Sequence, residues 1–204
     1  MLRVNMTIVE AERLASSRRG RPRNERVHKV ILQATTEVLS ESGYQVATIE
    51  AIAARAGVGK KTIYRWWSSK ADLVLEALTA ETEAQVPFPD TGSLEGDLLA
   101  YFRRSFAGLQ AKSGTALSGL AAEAQLDRNF AHEFQRQFIV PRKEGLVALL
   151  QRGVKRGELA SDINLDVLAD LIYGAKWYRF LLYPAPLDTA FARQMVRIIV
   201  RLRH

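Results

Sequence analysis

Apolar residues recur at three- and four-residue intervals along almost the whole chain. Val27, Val30, Ile31, Ala34, Val38 and Leu39 mark an amphipathic helix that begins near Arg23 and stops at Ser42-Gly43. Ile49, Ile52, Ala53 and Ala56 mark a second, with Thr48 as N-cap and Gly57 where a left-handed backbone ends the helix. Tyr44 and Val46, in the connector between them, are expected to plug the edge of the core. A third helix starts near Lys60 behind Gly59, with Ile63 and Trp67 turned inward and Val58 set against Ile63 as a hydrophobic staple. A fourth opens on Ser69 and Asp72, spaced as a capping box, and runs to about Gln85 before Pro87 and Pro89.

After a linker over 86–93 the same periodicity returns. Leu94, Leu98, Leu99, Phe102 and Phe106 form one stripe, followed by a short helix of small residues from Ser113 to Ala124. A long helical region spans about Arg128 to Arg156; Pro141 removes a backbone donor inside it and predicts a kink, and Lys155-Arg156-Gly157 predicts its end. From Asn164 or Asp166, Leu168, Leu171, Ile172, Ala175, Tyr178 and Leu182 cover a face too broad for one packing surface. The last helix, beyond Pro184 and Pro186, carries Phe191, Met195, Ile198, Ile199 and Leu202 on one stripe. Period-two runs bounded by turns are missing from the sequence, so the expected fold is all-α.

Charge divides the chain. Residues 1–70 hold 13 of the 29 lysines and arginines against 6 of the 22 acidic residues, whereas the remaining 16 and 16 cancel. One basic module joined to a neutral one points to a nucleic-acid contact and a separate second task. An anionic membrane is a poorer partner, because Ile63 and Trp67 are used up in the hairpin core rather than free to insert. There is no cysteine, no apolar run of membrane-spanning length and no signal-peptide core in MLRVNMTIVE, so a cytoplasmic protein without a membrane partner is expected. His28, His132 and His204 have no metal spacing, and no phosphate loop, nucleophile elbow or paired carboxylates stand out. No catalytic residue, metal or cofactor is therefore expected. His28, beside Lys29, reads as a plain surface position.

The two short helices at Thr48–Lys70 read as a helix-turn-helix whose second helix enters a DNA major groove, with Lys60, Lys61, Tyr64 and Arg65 facing outward. Thr48, Tyr64, Trp66 and Lys70 are expected at phosphates, Lys70 in the first turn of the fourth helix where free N–H groups favour an anion. Lys60, Lys61, Thr62 and Arg65 are the candidates for base edges. Upstream, Arg18, Arg19, Arg21 and Arg23 surround Gly20 and Pro22, and proline at 22 argues for extended rather than helical backbone. This flexible arm, residues 1–22, is either a solvated tail or a reader of the minor groove and phosphates through Arg21 and Arg23; Met6 leaves open a different natural start.

The order Thr48, Ile52-Ala53, Ala56-Gly57-Val58, Thr62-Ile63-Tyr64, Trp67, Lys70, Leu73 resembles the DNA-binding domain of the TetR (tetracycline-repressor-like) family of bacterial regulators. The likeness covers roughly Arg23 to Leu78. Gly59 stands where the family often has a capping serine and Trp67 where it usually has phenylalanine, and both substitutions keep the geometry. The resemblance implies a three-helix helix-turn-helix domain over 23–85 joined to a helical ligand-binding and dimerisation domain over 86–204. It also implies a homodimer on a palindromic operator in double-stranded DNA, released by a small-molecule effector that the sequence does not identify. The two apolar-faced C-terminal helices suit a two-fold helical interface. Tyr101, Phe102, Phe106, Phe134, Phe138, Trp177 and Tyr178 are the candidate lining of an effector cavity, with the Tyr hydroxyls, the Trp N–H, His132 or Arg179 as polar contacts; the alternative for each is plain core. A constitutive DNA-binding module without an effector is the rival function, and an enzyme the weaker one.

Overall fold

The computed structural model describes residues 8–85, 88–183 and 185–202, and every regular element among them is helical. In chain order these are α1 (Ile8–Val46), α2 (Ile49–Ala56), α3 (Lys60–Tyr64), α4 (Lys70–Gln85), α5 (Leu94–Gln110), α6 (Lys112–Leu126), α7 (Arg128–Phe134), α8 (Val140–Lys155), α9 (Leu165–Trp177) and α10 (Thr189–Ile199). Two π turns, Gln135–Ile139 and Tyr178–Leu182, continue α7 and α9.

The stops and starts follow local chemistry. α1 breaks at Gly43, where φ is 75°. Ser93, Asn164 and Asp188 cap α5, α9 and α10 through side-chain oxygens that accept from Gly96, Val167 and Phe191 N–H groups. Gly157, at φ 70°, ends the turn after α8.

Three expectations change. The backbone of residues 8–22 is helical and continuous with α1, where an extended arm was expected; the fixed φ of Pro22 is itself compatible with helix, so one missing donor does not end it. The side chains of Arg21 and Arg23, and Met6 altogether, lie outside the described residues. Val46 is 69% exposed, because the reversal at Gly43 turns Tyr44 and Ala47 inward instead. The long region around Pro141 is divided by a π turn: the Val140 N–H reaches back to the Gln135 carbonyl, and Pro141, which has no N–H to give, follows directly in the first turn of α8.

Two apolar cores result. The first joins α1–α4 to inward residues of α6, α7 and the first π turn: Ile31, Ile52, Ile63, Leu73, Leu120, Phe130, Phe134 and Phe138. The second is built from α5, α8, α9 and α10 around Leu98, Phe102, Phe106, Leu149, Ile172 and Val196. Helices from the C-terminal half thus complete the core of the N-terminal module. Gly119 of α6 makes this possible, since a Cβ there would sit 2.3 Å from the Tyr44 ring. The second core is tied to the linker by fully buried Asp97, which accepts from Thr91 Oγ1 at 2.8 Å and from Arg156 at 3.1 Å.

Candidate nucleic-acid interface and bundle cavity

The helix-turn-helix is specified by its own residues. Thr48 Oγ1 accepts from the Ala51 N–H at 3.1 Å. Gly57 takes φ 66° and ψ 32°, and the Val58 N–H closes back on the Ala53 carbonyl at 3.0 Å, so the turn needs a residue without a Cβ. Gly59 is extended and offers no side-chain cap. Ile63 and Trp67 are buried as expected, although α3 itself is only five residues long and Trp67 sits on the turn that follows.

On the outer side, Lys61, Tyr64 and Arg65 are exposed and Thr62 is half-buried. The Lys60 ammonium bonds Glu50 at 2.8 Å, and this hydrogen bond and charge raise its pKa above the ordinary value. Trp66 is half-buried: it packs on His28 at 4.8 Å and edge-on to Trp67 at 5.4 Å, with the Arg65 guanidinium 5.5 Å from its ring. His28 is correspondingly no bystander. Its Nε2 lies 2.9 Å from one oxygen of Glu76, whose other oxygen accepts the Trp67 indole N–H at 2.7 Å. Lys70 also points inward: its ammonium donates to the Tyr44 carbonyl at 2.9 Å and the Ala47 carbonyl at 3.1 Å, 4.2 Å from the Tyr44 ring centroid. Ser69 Oγ accepts the Asp72 N–H at 3.1 Å and donates to its carboxylate at 2.9 Å, closing the expected capping pair at the start of α4.

A cavity of about 700 Å³ lies between the two cores. Leu78 of α4 and Leu117 of α6 reach it from one side, Tyr101 and Ser105 of α5 and Tyr173, Lys176 and Trp177 of α9 from the other, with Phe138 and Arg142 along the π turn and α8. Of the aromatic residues expected there, Tyr101, Phe138 and Trp177 are present. Phe102 and Phe106 instead fill the second core and Phe134 the first, because successive positions on a helix point about 100° apart and only one face meets the void. Tyr178 is more than half exposed. His132 is exposed, and Arg179 bonds the Pro186 carbonyl at 2.9 Å outside the lining.

Of the polar groups in the cavity the Tyr101 hydroxyl was expected, whereas Ser105 and Lys176 were not. Lys176 donates to Ser105 Oγ at 2.9 Å and Tyr101 Oη at 3.3 Å. Burial, reinforced by Arg142, brings its pKa down to about 7. Burial likewise raises Tyr101 and Tyr173. A lone lysine four residues after Ile172 in an apolar run was the available signal. Among the described residues no group of histidines and carboxylates is placed to hold a metal, and no helix is long and apolar enough to cross a membrane.

The comparisons with known proteins agree with this geometry. Residues 31–77 match the model for bacterial regulatory proteins of the tetR family, and residues 88–199 the model for the tetracyclin repressor-like C-terminal domain. An uncharacterized HTH-type transcriptional regulator of Bacillus subtilis, YdeS, is 37% identical over 88% of this chain and 91% of its own. The DNA-binding transcriptional repressor TetR of Mycobacteroides abscessus is 31% identical over 85% of this chain and 92% of its own. The crystal structure of the TetR family transcription regulator SCO0332 superposes with a TM-score of 0.77 at 30% identity, covering 86% of this chain and 97% of that one.

Proposed function

We propose a ligand-released repressor, starting from the premise that this chain belongs to the TetR family of bacterial regulatory proteins. It is a helix-turn-helix transcriptional regulator, a DNA-binding protein and not an enzyme. In the proposed cycle a cytoplasmic homodimer holds a palindromic operator, and a small molecule in the bundle cavity sets it free.

The observation that carries this reading is the place of the cavity. Leu78 and Leu117 belong to the core that holds α3, and Tyr101 and Tyr173 to or against the core that holds α9 and α10. A guest between them acts on both, and α4 runs from that seam to the start of the DNA-facing module. To release DNA the guest must bind the released arrangement more tightly, by roughly 10⁴-fold for a complete switch.

Dimerisation has support in the apolar surface. On α9 and the π turn after it, Leu171 and Leu182 are 65% and 77% exposed, and Ile198 of α10 joins them at 62%. A two-fold axis through this face would set two copies of α3 about 34–36 Å apart or a multiple of it, one helical turn of DNA. Lys61, Thr62 and Arg65 then read base edges, while Thr48, Tyr64, Trp66 and the N-terminus of α4 hold phosphates; Lys60, when drawn from Glu50, joins the base readers.

The test begins with an operator found by selection from random duplexes and mapped by footprinting. Sedimentation is expected to show a dimer at micromolar concentration, and L171K with L182K to give folded monomers that lose operator binding. A parent protein that is monomeric and binds a single half-site as tightly as the palindrome would overturn the dimer. A broad compound library in which nothing both raises the melting temperature and weakens operator binding would leave a DNA-binding module without an effector.

A further inference from the structure

Lys176 is 6% exposed on the inward face of α9, in line with Leu168 and Ile172. Among the described residues its ammonium meets uncharged partners: the Ser105 and Tyr101 hydroxyls and, 4.4 Å away, the Tyr173 ring. Among the described residues no carboxylate forms an ion pair with it. A buried ammonium without a counter-charge is unfavourable, and a methionine would fill the same space without that loss.

The surrounding charge does not supply the missing anion. Arg142 and Lys143 approach from α8 and Arg104 from α5, and among the described lining residues the one negative charge is Asp170 of α9. Asp170 is already bonded to Lys143 at 2.9 Å. Tyr101 and Tyr173, the other titratable groups facing Lys176, are held neutral by burial. The cavity is thus an apolar chamber in which, among the described residues, the Lys176 ammonium has no carboxylate paired with it.

We propose that the guest is an amphipathic anion, its negatively charged head on Lys176, Ser105 and Tyr101 and its aromatic or aliphatic body against Leu117, Phe138 and Trp177. The inference rests on the cavity being the effector site. It also carries a proton signature. Burial leaves Lys176 partly neutral at neutral pH. An arriving anion favours the charged form, so binding takes up a proton from solvent, and more of one at pH 8 than at pH 7.

The experiment uses the full chain and three acids, 1-naphthylacetate, 4-biphenylacetate and dodecanoate, each beside its primary amide and the matching amine. Calorimetry in phosphate and in Tris at pH 8 gives affinity and proton uptake, and fluorescence anisotropy gives operator release. At least one acid is expected to bind roughly ten- to a hundredfold more tightly than its amide, with proton uptake. K176M is expected to remove both the preference and the uptake while operator binding without ligand stays unchanged; K176Q repeats the comparison with a neutral polar head. Amides or amines that bind as well as acids and release DNA would overturn the anionic assignment and leave the effector reading standing. Acids that bind through Lys176 but leave operator affinity unchanged would do the reverse. If no compound of any charge binds, both fail.

Discussion

The ring of Tyr44, at the end of α1, lies directly over the Cα of Gly119 in α6, closer than any side chain at 119 would allow. The same ring carries the Lys70 ammonium on it, so one aromatic side chain connects the C-terminal bundle to the start of α4. Gly119→Ala is expected to lower stability by about 1–3 kcal/mol through overpacking. Chemical denaturation checks the size. If the substitution leaves stability unchanged, α6 is not held where the contact implies.

Arg65→Ala is expected to weaken operator binding by about 1–3 kcal/mol and to relax preference at one position per half-site. Selection from randomised duplexes with parent and variant reads the preference directly. Equal weakening on operator and random DNA would reassign Arg65 to a phosphate.

Lys70→Ala separates two roles that its position offers. Because the ammonium closes the Tyr44 and Ala47 carbonyls, its loss is expected to lower stability by roughly 1–2 kcal/mol. The slope of log affinity against log salt should stay close to that of the parent. A fall of about one unit would instead make the ammonium a phosphate contact.

The acid limb of stability is expected to depend on Asp97. Burial pushes this carboxyl up, but the Thr91 backbone and hydroxyl and the Arg156 guanidinium outweigh it and hold the pKa below its ordinary 3.8. A depressed folded-state value means that the stabilisation is complete above that pH and is lost as the pH falls through the folded value. Asp97→Asn should therefore cost on the order of 2–3 kcal/mol near neutrality, less than a fully enclosed pair because Arg156 keeps some solvent contact. The gap between variant and parent should close below about pH 4. A gap that persists into acid would mean that shape, not charge, is what Asp97 supplies.

Lys176 works in the opposite direction. Its folded-state pKa, about 7, lies below the ordinary 10.5, so between these values the unfolded chain holds a proton that the folded chain has released. Stability from this group accordingly rises with pH over that window. K176M is expected to melt above the parent at pH 7, with the advantage shrinking toward pH 10. A pH-independent difference would show that Lys176 is charged or neutral throughout.

What was legible in the sequence was whatever depends on neighbours in the chain. Thr48, Gly57, the Ser69 and Asp72 pair and the breadth of the α9 face are settled within a few residues, by caps, by a missing Cβ and by helical spacing. The inward turn of Lys70 was hidden, since its acceptors are 26 and 23 positions away. The cavity was hidden for the same reason: Tyr101 and Phe102 are adjacent in sequence, yet which one faces a void is decided by α9 and the π turn packing opposite. The bridge from His28 through Glu76 to Trp67 joins α1, α4 and the segment that follows α3, and no local pattern announces it.

The wide turn at Gln135–Ile139 gives the cavity wall a property that α7 and α8 lack on either side of it. In α7 and α8 each coil is tied four residues along, and shifting it means breaking those ties together; between them the winding already holds one surplus residue, worth about 100° of rotation, and can surrender it by exchanging one set of bonds for another. Phe138 stands on that surplus. A molecule that presses on its ring therefore pushes against a ratchet rather than a rod, and the click would turn α8 relative to α7 while both remain helices.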